Sequence, residues 1–331
     1  MFPSRSQFYE CQLTEAQAEP GRFSKFKLKA RQYSEYLVLR LIICFIQILP
    51  IEACTTLAKI FSYFAQDVLR FRRKVIDENL TVTFPQISGR ERNQIARGMW
   101  RHLFLMICET AQAPRTIHEG NWRRFVHIRD KKLMTEYFLD GRPLVMVSGH
   151  FGNFEMGSYI AGVLGIPTWT VGKTIGNPYI DGFVRRFRSI RGQHLLPFEG
   201  SANQVSEVLA ENEILTLLGD QHAGRRGVWV EFFGRPASCH KALALFTLTQ
   251  KAPMVVTYTK RVGKPMQFEI GCEGIAEPDQ LNSDQESVRG LTQWYNDRLE
   301  SIVRRDPDQY WWVHRRWKDK PGKRWRRKPA A

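Results

Sequence analysis

The chain has 331 residues, 43% of them hydrophobic, so it is long enough to bury a substantial core in one large domain or two ordinary ones. Its net charge of +16 favours acidic partners: phosphorylated lipid, a membrane surface, an acidic protein or nucleic acid. The six cysteines are scattered without a C-x-x-C pair, which indicates a reducing compartment and argues against a zinc site. The start of the chain shows no signal peptide with a small-residue cleavage site.

The first 69 residues divide into a basic part and an apolar part. Residues 1–35 are polar and carry six Lys or Arg residues, so we expect a flexible basic arm. Residues 36–69 are strongly apolar, but their core run, 37–49, contains Arg40 and ends at Pro50. A membrane-spanning helix needs about 20 apolar residues, so this segment predicts a tilted span, an interfacial helix or a buried core helix. The basic residues on both sides favour contact with a membrane.

Residues 70–313 have the pattern of an α/β domain. Helical spacing of apolar residues runs through 71–110, with Pro85 in a loop. Beyond residue 141, short apolar segments alternate with helical ones, which predicts a mostly parallel or mixed central sheet flanked by helices. The predicted strands are 144–148, 167–171, 194–198, 214–218, 254–259 and 266–271. The predicted helices are 153–164, 178–190, 202–211, 239–250 and 284–304.

A histidine follows the first of these strands. His150 lies just past 144–148, and ligands of open α/β sheets bind beyond the carboxyl ends of strands. Asn153 suits the N-cap of the next helix and would place Glu155 in its first turn. We expect Glu155 to accept a hydrogen bond from one ring nitrogen of His150, leaving the other nitrogen as a base.

The H-x4-E spacing is weakly specific by itself. The chain contains a second match, from His194 to Glu199, although Pro197 interrupts it. On these residues alone, an ordinary loop histidine at 150 and an ordinary helix-terminal carboxylate at 155 are as acceptable as a catalytic pair.

A second acidic side chain also follows a predicted strand. Asp220 comes just after 214–218, and so lies at another strand end. A metal ion is the alternative use of this position, but Asp220 and His222 alone are too few ligands.

The end of the chain combines tryptophans with basic residues. The tail 314–331 is basic, with nine Lys or Arg and one acidic residue in 314–328. Such a segment suits nucleic acid by stacking and phosphate contacts, and it also suits an anionic membrane surface. A non-enzymatic binding protein is therefore an alternative, against which the α/β pattern with charged residues at strand ends argues. The residues concerned are Trp311, Trp312, Trp317, Arg315 and Arg316.

Five separated blocks carry a resemblance to a known family. They are ENLTVTFPQISGRERNQIA (78–96), HFGNFE (150–155), NPYIDGFVRRFRSIRG (177–192), GDQHAGRRGVWVEFFGRPA (219–237) and QYWWVHRRWKDKPG (309–322). In this order they resemble the late lipid A acyltransferases, the lauroyl and myristoyl transferases of Gram-negative envelopes. The last block, similar to the terminal W-x-HRR-[FW]-K signature, is the most specific. The Gly-Asn within HFGNFE departs from the enterobacterial form, which leaves the acceptor open.

The resemblance implies a glycerolipid-acyltransferase-like fold with an N-terminal membrane-associated helix. It implies an O-acyltransferase that moves a fatty acyl chain from acyl carrier protein or acyl-CoA to a hydroxyl of a lipid A precursor. The same chemistry on a lysophospholipid or glycolipid is the alternative. It further implies the cytoplasmic face of the bacterial inner membrane, no cofactor or metal, and no nucleic-acid partner.

The resemblance also implies roles for single residues. His150 would be the general base and Glu155 its partner, with no acyl-enzyme intermediate. Arg188 matches the family arginine, with Arg185, Arg186 and Arg191 as alternatives. The expected substrate-binding residues are Arg188, Asp220, Gln221, Asn153, Arg315 and Arg316.

Overall fold

The computed structural model describes residues 22–190 and 192–318. Its strands are β1 (Val126–Ile128), β2 (Leu144–Ser148), β3 (Thr168–Gly172), β4 (Gln193–Pro197), β5 (Ile214–Leu218), β6 (Val228–Phe232), β7 (Arg235–Cys239), β8 (Met254–Arg261) and β9 (Phe268–Ala276). Seven of them form one sheet in the order β1-β9-β8-β2-β5-β3-β4, and β6 pairs with β7 as an antiparallel hairpin. Only the β8–β9 pair in the large sheet is antiparallel, which confirms the predicted mixed, mostly parallel sheet.

Helices cover this sheet and extend before it in the chain. They are α1 (Arg22–Ile48), α2 (Ile51–Tyr63), α3 (Arg73–Thr83), α4 (Gly89–Thr116), α5 (Lys131–Leu139), α6 (Phe154–Val163), α7 (Pro178–Ser189), α8 (Ala202–Ala210), α9 (Ala242–Gln250) and α10 (Val288–Arg305). A capping box starts α4: the Ser88 hydroxyl accepts from the Glu91 N–H, and the Ser88 N–H donates to the Glu91 carboxylate.

The central strands are buried because helices pack on both faces. Val145 and Val147 of β2 and Leu215 of β5 have no exposed surface. Fully buried strands of a parallel sheet carry continuous apolar runs, which is why the sequence located β2 and β5 at their observed bounds. The sequence did not predict the short edge strand β1, the helix α5 or the β6–β7 hairpin. The hairpin also moves the start of α9 from the expected residue 239 to Ala242.

The N-terminal region differs from the expectation of a flexible arm. Residues 22–35 belong to α1, so that prediction is wrong for them, while residues 1–21 lie outside the described part of the chain. Large apolar side chains of α1 face solvent, including Leu41 at 70% exposure and Ile48 at 76%. Among the helices of residues 22–190 and 192–318, none is both long enough and apolar enough to cross a membrane.

Candidate active site

The site is built where two neighbouring parallel strands end. β2 and β5 pair in register, with Ser148 opposite Leu218. His150 and Asp220 each lie two residues beyond these partners, so the pairing brings them to the same edge of the sheet. Asp220 accepts two hydrogen bonds from His150: its Oδ1 lies 2.7 Å from the ring Nδ1, and its Oδ2 lies 2.8 Å from the backbone nitrogen.

The Asp220 carboxylate is ionised despite its burial. Its side chain is only 4% exposed, and burial by itself would raise its pKa. The positive charge that the His150 ring carries when it is protonated, and the two hydrogen bonds from that residue, act in the opposite direction and lower the Asp220 pKa to about 2. A carboxylate held in this form fixes the His150 tautomer with the proton on Nδ1.

The other ring nitrogen of His150 is left as an acceptor. The side-chain amide of Gln221 lies 3.1 Å from Nε2 and donates to it. Two aromatic rings flank the imidazole, with centroids 4.8 Å away for Trp311 and 5.1 Å away for Phe154. The His150 side chain is 10% exposed. The Asp220 carboxylate orients the imidazole, one ring nitrogen keeps its lone pair, and the ring is largely shielded from water. This is the arrangement of a general base.

Glu155 does not orient His150, and that prediction is wrong. The Glu155 carboxylate pairs with Arg188 of α7, whose Nε lies 3.3 Å from Oε2 and whose Nη2 contacts Oε1. Both side chains are about one-quarter exposed, 23% and 25% respectively. Of the alternatives to Arg188, Arg185 pairs with Asp181. Arg186 is exposed, and Arg191 lies outside the described residues.

The segment 309–316, called here the C-terminal strap, holds the strand-end loops together. The Trp311 N–H donates to the His150 carbonyl at 3.0 Å, and the Gly152 N–H donates to the Gln309 carbonyl at 2.9 Å. The N–H of His222, which follows Gln221 in the chain, donates to His314 Nε2 at 3.1 Å. Burial lowers the pKa of His314 to about 4, so this ring is neutral and able to accept.

Sequence comparison identifies the family. The family model described as bacterial lipid A biosynthesis acyltransferase matches residues 22–319. The chain belongs to this family.

Individual relatives are distant. The chain is 23% identical over 307 residues to the lipid A biosynthesis palmitoleoyltransferase of Escherichia coli strain K12, covering 91% of this chain and 96% of that protein. The lauroyltransferase of the same strain is also 23% identical, over 308 residues. A lipid A biosynthesis acyltransferase of Haemophilus influenzae is 23% identical over 263 residues, covering 76% of this chain and 78% of that protein.

One solved structure, the 1-acyl-sn-glycerophosphate acyltransferase PlsC of Thermotoga maritima, aligns with a TM-score of 0.37 and 11% identity. The alignment covers 77% of this chain and 97% of that chain. Family membership, taken from the sequence, makes the protein an acyltransferase with an acyl donor and a lipid acceptor as its substrates.

Two predicted substrate-binding residues of this acyltransferase are buried in other contacts. Asn153 has no exposed surface; its Oδ1 accepts from the Met156 N–H and its amide donates to Glu109. Arg316 is 2% exposed and donates to the Ser238 carbonyl, the Cys239 sulfur and Asn296. Both predictions are corrected: these side chains build the loops around the site.

The remaining predicted residues stay candidates. Arg315 is exposed beside His314, and Arg188 and Gln221 lie at the site as described, whereas Asp220 is buried and contacts His150 with both carboxylate oxygens. The sequence analysis did not identify Trp311 as a neighbour of His150, although the matching block 309–322 includes this residue. In residues 22–190 and 192–318, no group of three or more His, Cys, Asp or Glu side chains could hold a metal ion.

Proposed function

We propose that this acyltransferase moves a fatty acyl chain from a thioester donor, acyl carrier protein or acyl-CoA, to a hydroxyl of a lipid A precursor. The observation that carries the proposal is the His150–Asp220 pair at the shared edge of β2 and β5, in a chain of the lipid A acyltransferase family. The acceptor class follows the names of its relatives.

His150 acts as the general base. The acceptor hydroxyl takes the place of the Gln221 amide at Nε2 and gives its proton to that nitrogen as its oxygen attacks the thioester carbonyl. A tetrahedral adduct forms and collapses, the C–S bond breaks, and the thiol leaves with the proton from Nε2. Asp220 stabilises the imidazolium formed between these two steps.

Arg188 binds negative charge of a substrate. Its guanidinium pairs with the carboxylate of Glu155, the second residue of α6. The Arg188 side chain, which belongs to α7, remains one-quarter exposed. Arg is suited to phosphate because its planar fork donates two parallel hydrogen bonds. The phosphate groups of a lipid A precursor supply such a charge.

The enzyme works at the cytoplasmic face of the bacterial inner membrane, with α1 in the interfacial region. The apolar residues Leu41, Phe45 and Ile48 of α1 are 57–76% exposed, and its first turns carry exposed Lys25 and Lys29. An apolar helix face next to basic residues binds an anionic lipid surface without spanning it.

The test is a transfer assay with an acceptor panel. Purified protein is incubated with labelled acyl carrier protein or acyl-CoA and a tetra-acylated lipid A precursor, a lysophospholipid or a glycolipid. His150→Ala should lower transfer to the lipid A precursor by about 10²–10⁴-fold. His194→Ala is the matched control, since the histidine of the second H-x4-E match lies in β4 and stacks on Trp169. Transfer only to the other acceptors would overturn the acceptor, and full activity of His150→Ala would overturn the base.

A further inference from the structure

A buried network of charged and polar side chains lies behind the loop that carries His150. It consists of Glu109, Arg261, His102 and Asn153, and is called here the Glu109 network. Glu109 has no exposed surface, and its two carboxylate oxygens accept from Arg261 Nε and Nη2, both at 2.6 Å. The third guanidinium nitrogen of Arg261 lies 2.8 Å from His102 Nδ1.

The network ends on the two residues that precede α6. His102 Nε2 lies 3.0 Å from the Gly152 carbonyl oxygen, and the Asn153 amide donates to Glu109 Oε2 at 3.1 Å. A guanidinium can only donate, so His102 Nδ1 is the acceptor and its Nε2 carries the proton. Burial, aided by the charge of Arg261, lowers the pKa of His102 to about 3. The ring is therefore neutral and keeps this direction of donation at neutral pH.

Stability alone does not explain a charged network in this place. A buried ion pair can often be replaced by apolar side chains of similar volume without loss of stability. The network instead fixes a backbone position. Gly152 has φ +59°, and a Cβ atom there would lie 2.0 Å from the Thr259 carbonyl oxygen of β8, so the loop passes β8 in close contact.

Both polar groups of the peptide between Gly152 and Asn153 are hydrogen-bonded. Its carbonyl accepts from His102, and its N–H donates to the Thr259 carbonyl at 2.8 Å. We propose that His102, itself held by Arg261 and Glu109, is a positioning residue for His150. It fixes this peptide, and through the short loop it fixes the distance from His150 to Asp220 and the start of α6.

The inference rests on the proposed function, because it assigns His102 a role in placing the base of that reaction. A displacement of a catalytic group by about 1 Å can lower a rate by about 10²-fold. Leucine at position 102 removes the donor to the Gly152 carbonyl. Glutamine retains both a donor and an acceptor, so it can bridge Gly152 and Arg261.

The experiment compares His102→Leu, His102→Gln and the control His127→Leu, whose histidine is exposed on β1. We expect His102→Leu to lower kcat by about 10–100-fold with KM unchanged, and His102→Gln to restore most of kcat. The ¹H NMR resonance of the His150 Nδ1 proton, assigned by its loss in His150→Ala, should shift in His102→Leu alone.

Two results would overturn the inference. One is a folded His102→Leu protein with wild-type kcat and an unmoved His150 resonance. The other is a kcat loss that follows the folded fraction and is not relieved by glutamine, since that pattern belongs to a purely structural side chain. If the wild-type protein transfers no acyl chain to any acceptor, the proposed function fails, and the position of the resonance still decides the role of His102.

Discussion

Replacing Asp220 by asparagine removes the charge behind His150 and keeps the size of the side chain. Asp220 accepts from both the ring Nδ1 and the backbone nitrogen of His150, and an asparagine has one oxygen for these two donors. If the amide nitrogen faces the ring, Nδ1 becomes an acceptor and the proton moves to Nε2. The nitrogen that should take the acceptor proton is then already protonated.

The size of the effect follows from the structure. Burial raises the Asp220 pKa and the interaction with His150 lowers it; the net fall from 3.8 to about 2 corresponds to about 2 kcal/mol, which is a lower bound on that interaction. Loss of that amount from the transition state alone slows transfer by about 30-fold. With the wrong tautomer added, kcat should fall by about 10²–10⁴-fold. KM should change little, because the carboxylate is buried behind the imidazole.

The assay is steady-state acyl transfer with purified Asp220→Asn, with circular dichroism to confirm the fold. Glu155→Gln is the comparison variant. It loosens the contact with Arg188 and leaves His150–Asp220 in place, so its main effect should be on KM. An Asp220→Asn protein that retains more than about one-tenth of kcat would refute the reasoning.

Three further predictions concern stability. Gly152→Ala should lower the free energy of urea unfolding by more than about 3 kcal/mol. Gly165→Ala should lower it by about 1 kcal/mol, because φ is also positive there but nothing lies close to the added Cβ atom. Equal losses would contradict the close contact between the loop and β8. Arg316→Ala should lower the free energy of unfolding by about 2–4 kcal/mol, measured by thermal unfolding. Arg315→Ala, at the exposed neighbouring residue, should lower it by less than about 0.5 kcal/mol. Because His314 takes up a proton at pH about 4 when folded and about 6.5 when unfolded, its contribution to stability falls as the pH falls through that window. His314→Gln should flatten this part of the stability–pH curve, and an unchanged slope would contradict the assignment.

The sequence predicted where the strands end, but not which strands lie next to each other in the sheet. His150 and Asp220 were each placed after a strand, because buried strands of a parallel sheet carry uninterrupted apolar runs. Their contact depends on β5 lying next to β2, with β3 beyond it, and chain order does not reveal that arrangement. The local spacing therefore assigned the nearest carboxylate, Glu155, which the structure pairs with an arginine 33 residues away.

The sequence also could not predict which charged side chains are buried. Arg315 and Arg316 are adjacent in the same basic run, yet one is exposed and the other is 2% exposed. Arg316 is acceptable inside because Ser238 and Cys239 of β7 and Asn296 of α10 supply acceptors from two different elements of the fold. Such a set of partners exists only after the chain has folded.

The central claim is that His150 and Asp220 act as one unit in acyl transfer. A double-mutant cycle tests it most directly, with kcat measured for wild type, His150→Ala, Asp220→Asn and the double variant. Side chains that act as a unit give non-additive losses. The account predicts that the double variant transfers acyl chains at the same rate as His150→Ala, because Asp220 acts only through the imidazole. Losses that multiply in the double variant would contradict it and would show that Asp220 acts independently of His150.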